Sequence, residues 1–138
     1  MNPVIGDGAT MSLGTSLTLS KDSATDVDTN TSVFDLRAAD LGSSKYSVSG
    51  LTYPAERALS VSHQTGKQGE LRHLVRIDET VLDSALVPGT MSAYVVIVRP
   101  PHAAITNALI IENVNRLVDF LVEGGSNGNV TKILNQEV

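Results

Sequence analysis

Between residues 11 and 98 the apolar side chains come in short runs that alternate with Ser, Thr and charged residues. This is the period of two expected of strands with one covered and one open face. The pattern predicts six strands, near residues 15–21, 32–39, 46–52, 57–64, 71–79 and 91–99. Polar or glycine-bearing connections at 22–31, 40–45, 65–70 and 84–90 have the length and composition of hairpin loops, so consecutive strands should pair antiparallel in a meander. Pro54 interrupts the third run and must stand at its end or at a sheet edge, because proline has no N–H to give to a ladder.

After Pro100 and Pro101 the spacing lengthens. Ile105, Leu109, Ile110, Val114, Leu117, Val118 and Leu121 fall on one helical stripe, with Asn115, Arg116, Asp119 and Glu123 away from it. A helix of about twenty residues, roughly 30 Å long, is expected, stopped by Gly124 and Gly125. A weaker helical pattern covers 129–136, with Val130, Ile133 and Leu134 as its apolar side. Strands first and helices last make an α+β chain rather than an alternating one. Ile111, Phe120 and Val122 widen the apolar surface of the long helix beyond a single stripe, more than one small sheet face covers. An obligate dimer is one remedy, since such interfaces resemble a domain core cut in half.

The 138 residues suit one domain over 1–138. Within it, residues 1–11 lack periodicity and read as a flexible arm or edge segment. They carry neither the basic cluster nor the apolar run of a signal peptide or membrane anchor, so a soluble, cytosolic chain is expected. The absence of cysteine removes disulfides and thiolate metal sites. A formal charge of -5 argues against nucleic-acid binding through bulk positive charge, so any RNA site must be local. The charge is unevenly placed. Asp22, Asp26, Asp28, Asp35 and Asp40 crowd the first third, whereas Arg57, Lys67, Arg72 and Arg76 meet only Glu70 before Ile77.

No constellation for catalysis emerges. Asp26, Asp28 and Asn30 have the spacing of an opening calcium loop, but Thr31 stands in the place of the turn glycine and Arg37 in that of the bidentate glutamate. A polar hairpin loop is the better reading. His63, His73 and His102 include no i, i+4 pair. Ser47 occupies the first glycine position of a nucleophile elbow around Ser49 and Gly50, and Gly66-Lys-Gln-Gly69 lacks the glycine spacing and the Lys-Ser or Lys-Thr pair of a phosphate loop. The expectation is a protein with no catalytic residues, no metal, no cofactor and no small-molecule substrate.

Three stretches carry a family resemblance: Ala58-Leu-Ser-Val-Ser-His-Gln64, Leu71-Arg-His-Leu-Val-Arg-Ile-Asp78, and Ser92-Ala-Tyr-Val-Val-Ile-Val98 leading into 103–122. In their order and spacing, with a hairpin before them and a short helix after, the chain resembles the coat proteins of leviviruses, the single-stranded RNA bacteriophages. The likeness extends over nearly the whole chain and is clearest from Arg57 onward.

The resemblance implies a homodimer whose two copies share one continuous sheet, with helices interlocked over its outer side. It implies a T=3 icosahedral shell that encloses genomic single-stranded RNA, binding of an RNA hairpin with repression of replicase translation, and a place in the virion after assembly in the cytoplasm of the infected bacterium. The helical stripe from Ile105 to Leu121 would be the dimer interface, sharing a core with Leu59, Val61, Val75, Ile77, Val95 and Ile97. The alternate strand residues would face RNA: Ser60, Ser62, Arg72, Arg76, Ser92 and Tyr94. By position Ser60 and Ser62 resemble the family's adenine-pocket residues, Arg76 its basic strand residue and Tyr94 its stacking tyrosine. Leu74 and Val96 depart from the pattern, standing where the family places polar RNA contacts. The loop between the last two strands, with Leu86, Val87, Pro88 and Gly89, would make contacts between dimers. The rival readings are a cytosolic dimeric α+β protein that binds a ligand, and an RNA-binding one that does not assemble.

Overall fold

Six strands pair antiparallel in strict chain order: β1 (Ser16–Ser20), β2 (Thr31–Asp40), β3 (Ser43–Val48), β4 (Glu56–Thr65), β5 (Leu71–Leu82) and β6 (Pro88–Arg99). Two helices follow, α1 (Asn107–Val122) and α2 (Gly128–Leu134). This computed structural model describes residues 13–21, 31–123 and 128–138. The expected arm at 1–11, the calcium-like spacing of Asp26, Asp28 and Asn30, and the helix-ending Gly124 and Gly125 lie outside them.

The six strands and the α+β order agree with the alternation in the sequence, but two loops are shorter than expected. The connection expected at 40–45 is only Leu41-Gly42. Gly42 takes φ 87, a left-handed conformation open to a residue without Cβ, so Asp40 pairs directly with Ser43. Strand β3 therefore starts three residues before Tyr46 and ends at Val48, leaving Pro54 in the loop before β4. The second correction concerns Pro88 and Gly89, which are ladder residues opposite Leu82 and Val81. Side-chain chemistry closes the 83–87 turn early: the Asp83 carboxylate accepts the N–H groups of Ala85 (2.8 Å) and Val87 (2.9 Å), and the Asp83 N–H donates to the Val87 carbonyl at 3.0 Å. Proline is tolerated at 88 because it is the first residue of β6.

The core sits toward the β1 end of the sheet. Phe34, Tyr46 and Leu59 are buried, with Leu17, Leu19, Leu36, Val48 and Ile77 packed against them. The Tyr46 hydroxyl donates to the Gly14 carbonyl at 2.8 Å, which satisfies the one polar atom a buried tyrosine brings. Of the core expected from the sequence, Leu59 and Val61 are buried and Ile77 is partly so, but Val75 remains 39% exposed. The helical stripe contributes nothing within the chain, since no residue of α1 or α2 is buried.

The reason lies in how α1 leaves the sheet. Beyond Pro100 the backbone turns twice, with the His102 N–H on the Pro100 carbonyl and the Ile105 N–H on the His102 carbonyl. Thr106 then caps the helix, its hydroxyl accepting from the Leu109 N–H at 3.2 Å. The helix thus begins later than the stripe suggested, and Ile105 precedes it. An open apolar groove of about 320 Å³ separates α1 from β6, lined by Val95, Ile97, Ile105, Leu109, Val114 and Leu117 among others. Helix α2 packs back on α1, where the Asn129 side-chain amide donates to the Phe120 carbonyl at 2.7 Å.

Candidate nucleic-acid interface

Register across four strands builds one row of side chains. Lys45 stands opposite Ser60, Ser60 opposite Arg76, and Arg76 opposite Tyr94. Because strand residues alternate between faces, the neighbouring row Tyr46, Leu59, Ile77 and Ala93 points to the core side. The row with Tyr94 therefore occupies the opposite face. On the same face lie Ser43, Ser62, Leu74 and Val96 in the next row, then Gln64, Arg72 and Val98 beyond it. On the other side comes the row Ser47, Ala58, Asp78 and Ser92. All six residues singled out from the sequence, Ser60, Ser62, Arg72, Arg76, Ser92 and Tyr94, are thus brought to one face, and Tyr94 is 64% exposed.

The face is more evenly charged than a row of arginines suggests. Arg76 Nε donates to Asp78 Oδ1 at 2.8 Å and its Nη2 to Ser92 Oγ at 3.2 Å. The Ser92 hydroxyl also donates to the Asp78 carboxylate. The hydrogen bond from Ser92, followed by that from Arg76, holds the Asp78 carboxyl below the usual aspartate range, so it is an anion at neutral pH. Lys45 lies 3.6 Å from Glu56. Arg72 reaches Glu70 at 4.0 Å, with half of its side chain in solvent. Ion pairs this exposed are weak and exchange readily, which leaves both cations able to turn to a phosphate.

Lys45, Glu56 and Asp78 belong to this surface and were not singled out from the sequence. Lys45 was hidden by the misplaced β2–β3 turn. Asp78 carried a usable signal, because it is two residues from Arg76 and two residues along a strand means the same face. Arg37 adds a further cation at the β2–β3 end: a register shift between Leu36 and Ala38 sets it off the ladder, and its guanidinium donates to the hydroxyls of Ser47 (2.8 Å) and Ser49 (2.7 Å).

The other expected surfaces are also placed. Leu109, Ile110, Val114, Leu117, Val118 and Leu121 lie along α1, and Leu117 is 46% exposed. Leu86 and Val87 form the exposed tip of the β5–β6 hairpin, with Leu86 at φ 63. Among the described residues, no helix is long and apolar enough to cross a membrane, and no group of three or more His, Cys, Asp or Glu side chains converges as metal ligands do.

No protein-family model and no curated protein matches the chain. Solved structures do. The coat protein of bacteriophage EMS014 superposes with a TM-score of 0.70 at 15% identity, covering 91% of this chain and 98% of that one. A virus-like particle of bacteriophage NT-214 gives a TM-score of 0.63 at 14% identity, over 91% of this chain and 97% of the other. An unassembled bacteriophage coat protein dimer, described as an RNA-binding dimer, gives 0.60 at 13% identity, over 89% and 94%. Six antiparallel strands in order with two trailing helices, matched over about nine-tenths of the chain by these structures, are the coat-protein fold of the single-stranded RNA bacteriophages.

Proposed function

We propose that the chain is the coat protein of a single-stranded RNA bacteriophage, a structural protein rather than an enzyme, whose homodimers assemble into an icosahedral shell around RNA. The observation that carries this reading is a helix with no buried residue beside an open sheet edge, in a fold shared over nearly its full length with coat proteins and virus-like particles. An edge strand with free N–H and C=O groups is a template for another strand. A second copy pairing β6 to β6 gives each α1 a sheet to cover and fills the groove along Val95, Ile97, Leu109 and Leu117. This one step covers the apolar surface that the single chain leaves bare.

With the helices on one side of the joined sheet, the face bearing Lys45, Ser60, Arg76 and Tyr94 becomes the inside of the shell. Exposed arginines and lysine bind phosphate there, Ser60 and Ser62 reach bases or sugars, and Tyr94 offers a ring to an unpaired base. Leu74 and Val96 leave part of the face without hydrogen-bonding capacity, so enclosure of RNA is better supported than repression through one specific hairpin. Assembly separates this reading from a ligand-binding or regulatory dimer. Expressed alone in bacteria, the protein should elute from gel filtration in the megadalton range with nucleic acid absorbance that resists nuclease. A discrete dimer free of RNA at native salt would remove the proposal.

A further inference from the structure

On the helix side of the sheet, away from the RNA face, His63 of β4 stands directly opposite His73 of β5. Their Nδ1 atoms are 2.8 Å apart and the rings meet edge to face with centroids 5.0 Å apart. Only one proton fits between two nitrogens at that distance, so at neutral charge one ring donates and the other presents a lone pair. The strands that carry them are in unbroken register over ten residue pairs, from Glu56 opposite Thr80 to Thr65 opposite Leu71, so the backbone holds the two rings in place without a ligand. Beyond His73 the row continues to Ile97, and on the other side His63 lines a cleft with Asp40 and Gly42.

We infer that His63 and His73 form a two-imidazole chelate for a divalent transition metal ion of the copper(II) or nickel(II) type. The ligand type sets the class, since imidazole nitrogens suit divalent ions late in the first transition row and affinity peaks at copper(II). The 2.8 Å between the nitrogens is that of a hydrogen-bonded pair. Rotation of the rings about their side-chain bonds is needed to turn both lone pairs to one point, and water completes the coordination. The ion takes the place of the proton that the two rings share, and that proton is released on binding.

The test is a calorimetric titration of the untagged protein, in its assembled or dimeric state, with nickel(II) and with copper(II) chloride, together with electron paramagnetic resonance of the copper(II) form. One ion per chain is expected, with nitrogen hyperfine structure from two imidazoles. The affinity should fall at least about tenfold in His63→Ala and equally in His73→Ala, and stay unchanged in His102→Ala. Zinc(II) should bind more weakly than copper(II). A titration without stoichiometric uptake, or uptake that survives His63→Ala, overturns the assignment. The hyperfine pattern of the unmodified protein decides the matter even if a variant misfolds, because a copper(II) spectrum lacking two equivalent nitrogens contradicts the chelate.

Discussion

Arg57 and Glu79 face each other across the β4–β5 ladder and are joined by two hydrogen bonds, Nε to Oε1 at 2.9 Å and Nη2 to Oε2 at 3.0 Å. This forked pairing is the strongest geometry open to the two groups. The hydrogen bond from Arg57 holds the Glu79 carboxyl below the usual glutamate range against the opposing effect of burial, and Glu79 raises Arg57 in return. A carboxyl depressed in the folded state stabilises at neutral pH and loses that contribution as pH falls through its folded value. Raising a guanidinium that is already charged changes nothing in this window. About a third of each side chain is exposed, so Glu79→Gln should cost only about 0.5 to 1 kcal/mol at neutral pH. Urea midpoints should differ between variant and parent at pH 7 and converge as pH falls below the lowered folded-state value of Glu79; a gap that persists once the carboxyl is protonated contradicts the ion pair.

On the opposite face, Asp78 is a fixed negative charge beside Arg76. Asp78→Asn should therefore tighten RNA binding, while Arg76→Ala and Tyr94→Ala weaken it. Loss of one stacked base at Tyr94 amounts to about 1 to 3 kcal/mol, or roughly five- to 150-fold in affinity. Arg76 and Tyr94 are open and Asp78 is partly exposed, so all three variants should keep the fold by circular dichroism. Gel-shift titrations at fixed salt measure the effect, and unchanged affinity in both Arg76→Ala and Tyr94→Ala would take this face out of the account.

Leu117 distinguishes a lone chain from a pooled one. At 46% exposure in a monomer, its truncation to alanine should cost within about 0.5 kcal/mol. Buried between two copies, the same change should cost about 2 to 5 kcal/mol per site. Unfolding followed over a range of protein concentrations measures the difference, and the dimer account predicts the larger value together with a midpoint that rises with concentration.

The β5–β6 turn depends on one carboxylate. Asp83→Ala removes both side-chain bonds to the N–H groups of Ala85 and Val87 and should lower stability by about 1 kcal/mol. If the exposed Leu86 and Val87 meet neighbouring dimers, the variant should also give fewer or less uniform particles by dynamic light scattering. Particles of unchanged yield and size would assign the loop a structural role only.

Alternation of apolar and polar residues was enough to read all six strands, because a half-covered strand writes its period of two directly into the chain. What escaped depended on contacts between residues distant in sequence or on local turn chemistry. The Gly42 turn and the Asp83 carboxylate closed two hairpins earlier than composition suggested, which hid Lys45 from the face that carries Arg76 and Tyr94 and moved Pro88 and Gly89 into a strand. Phe34 and Tyr46, at the centre of the core, lie twelve residues apart in separate short runs, and only pairing across β2, β3 and β4 brings them together. His63 and His73 were invisible to a search for helical ligand spacing, since their meeting depends on the β4–β5 register. The start of α1 was legible and overlooked: Thr106 three residues before Leu109 is a capping signal.

In the proposed dimer two copies join their β6 edges into one sheet, which α1 and its counterpart cover from outside while the Arg76 and Tyr94 face turns inward. Cryo-electron microscopy of the protein expressed alone tests this arrangement. Closed round shells are expected, in which paired β6 strands relate neighbouring chains and RNA density lies against the Tyr94 face. A soluble single chain whose α1 lies folded on its own sheet would contradict it.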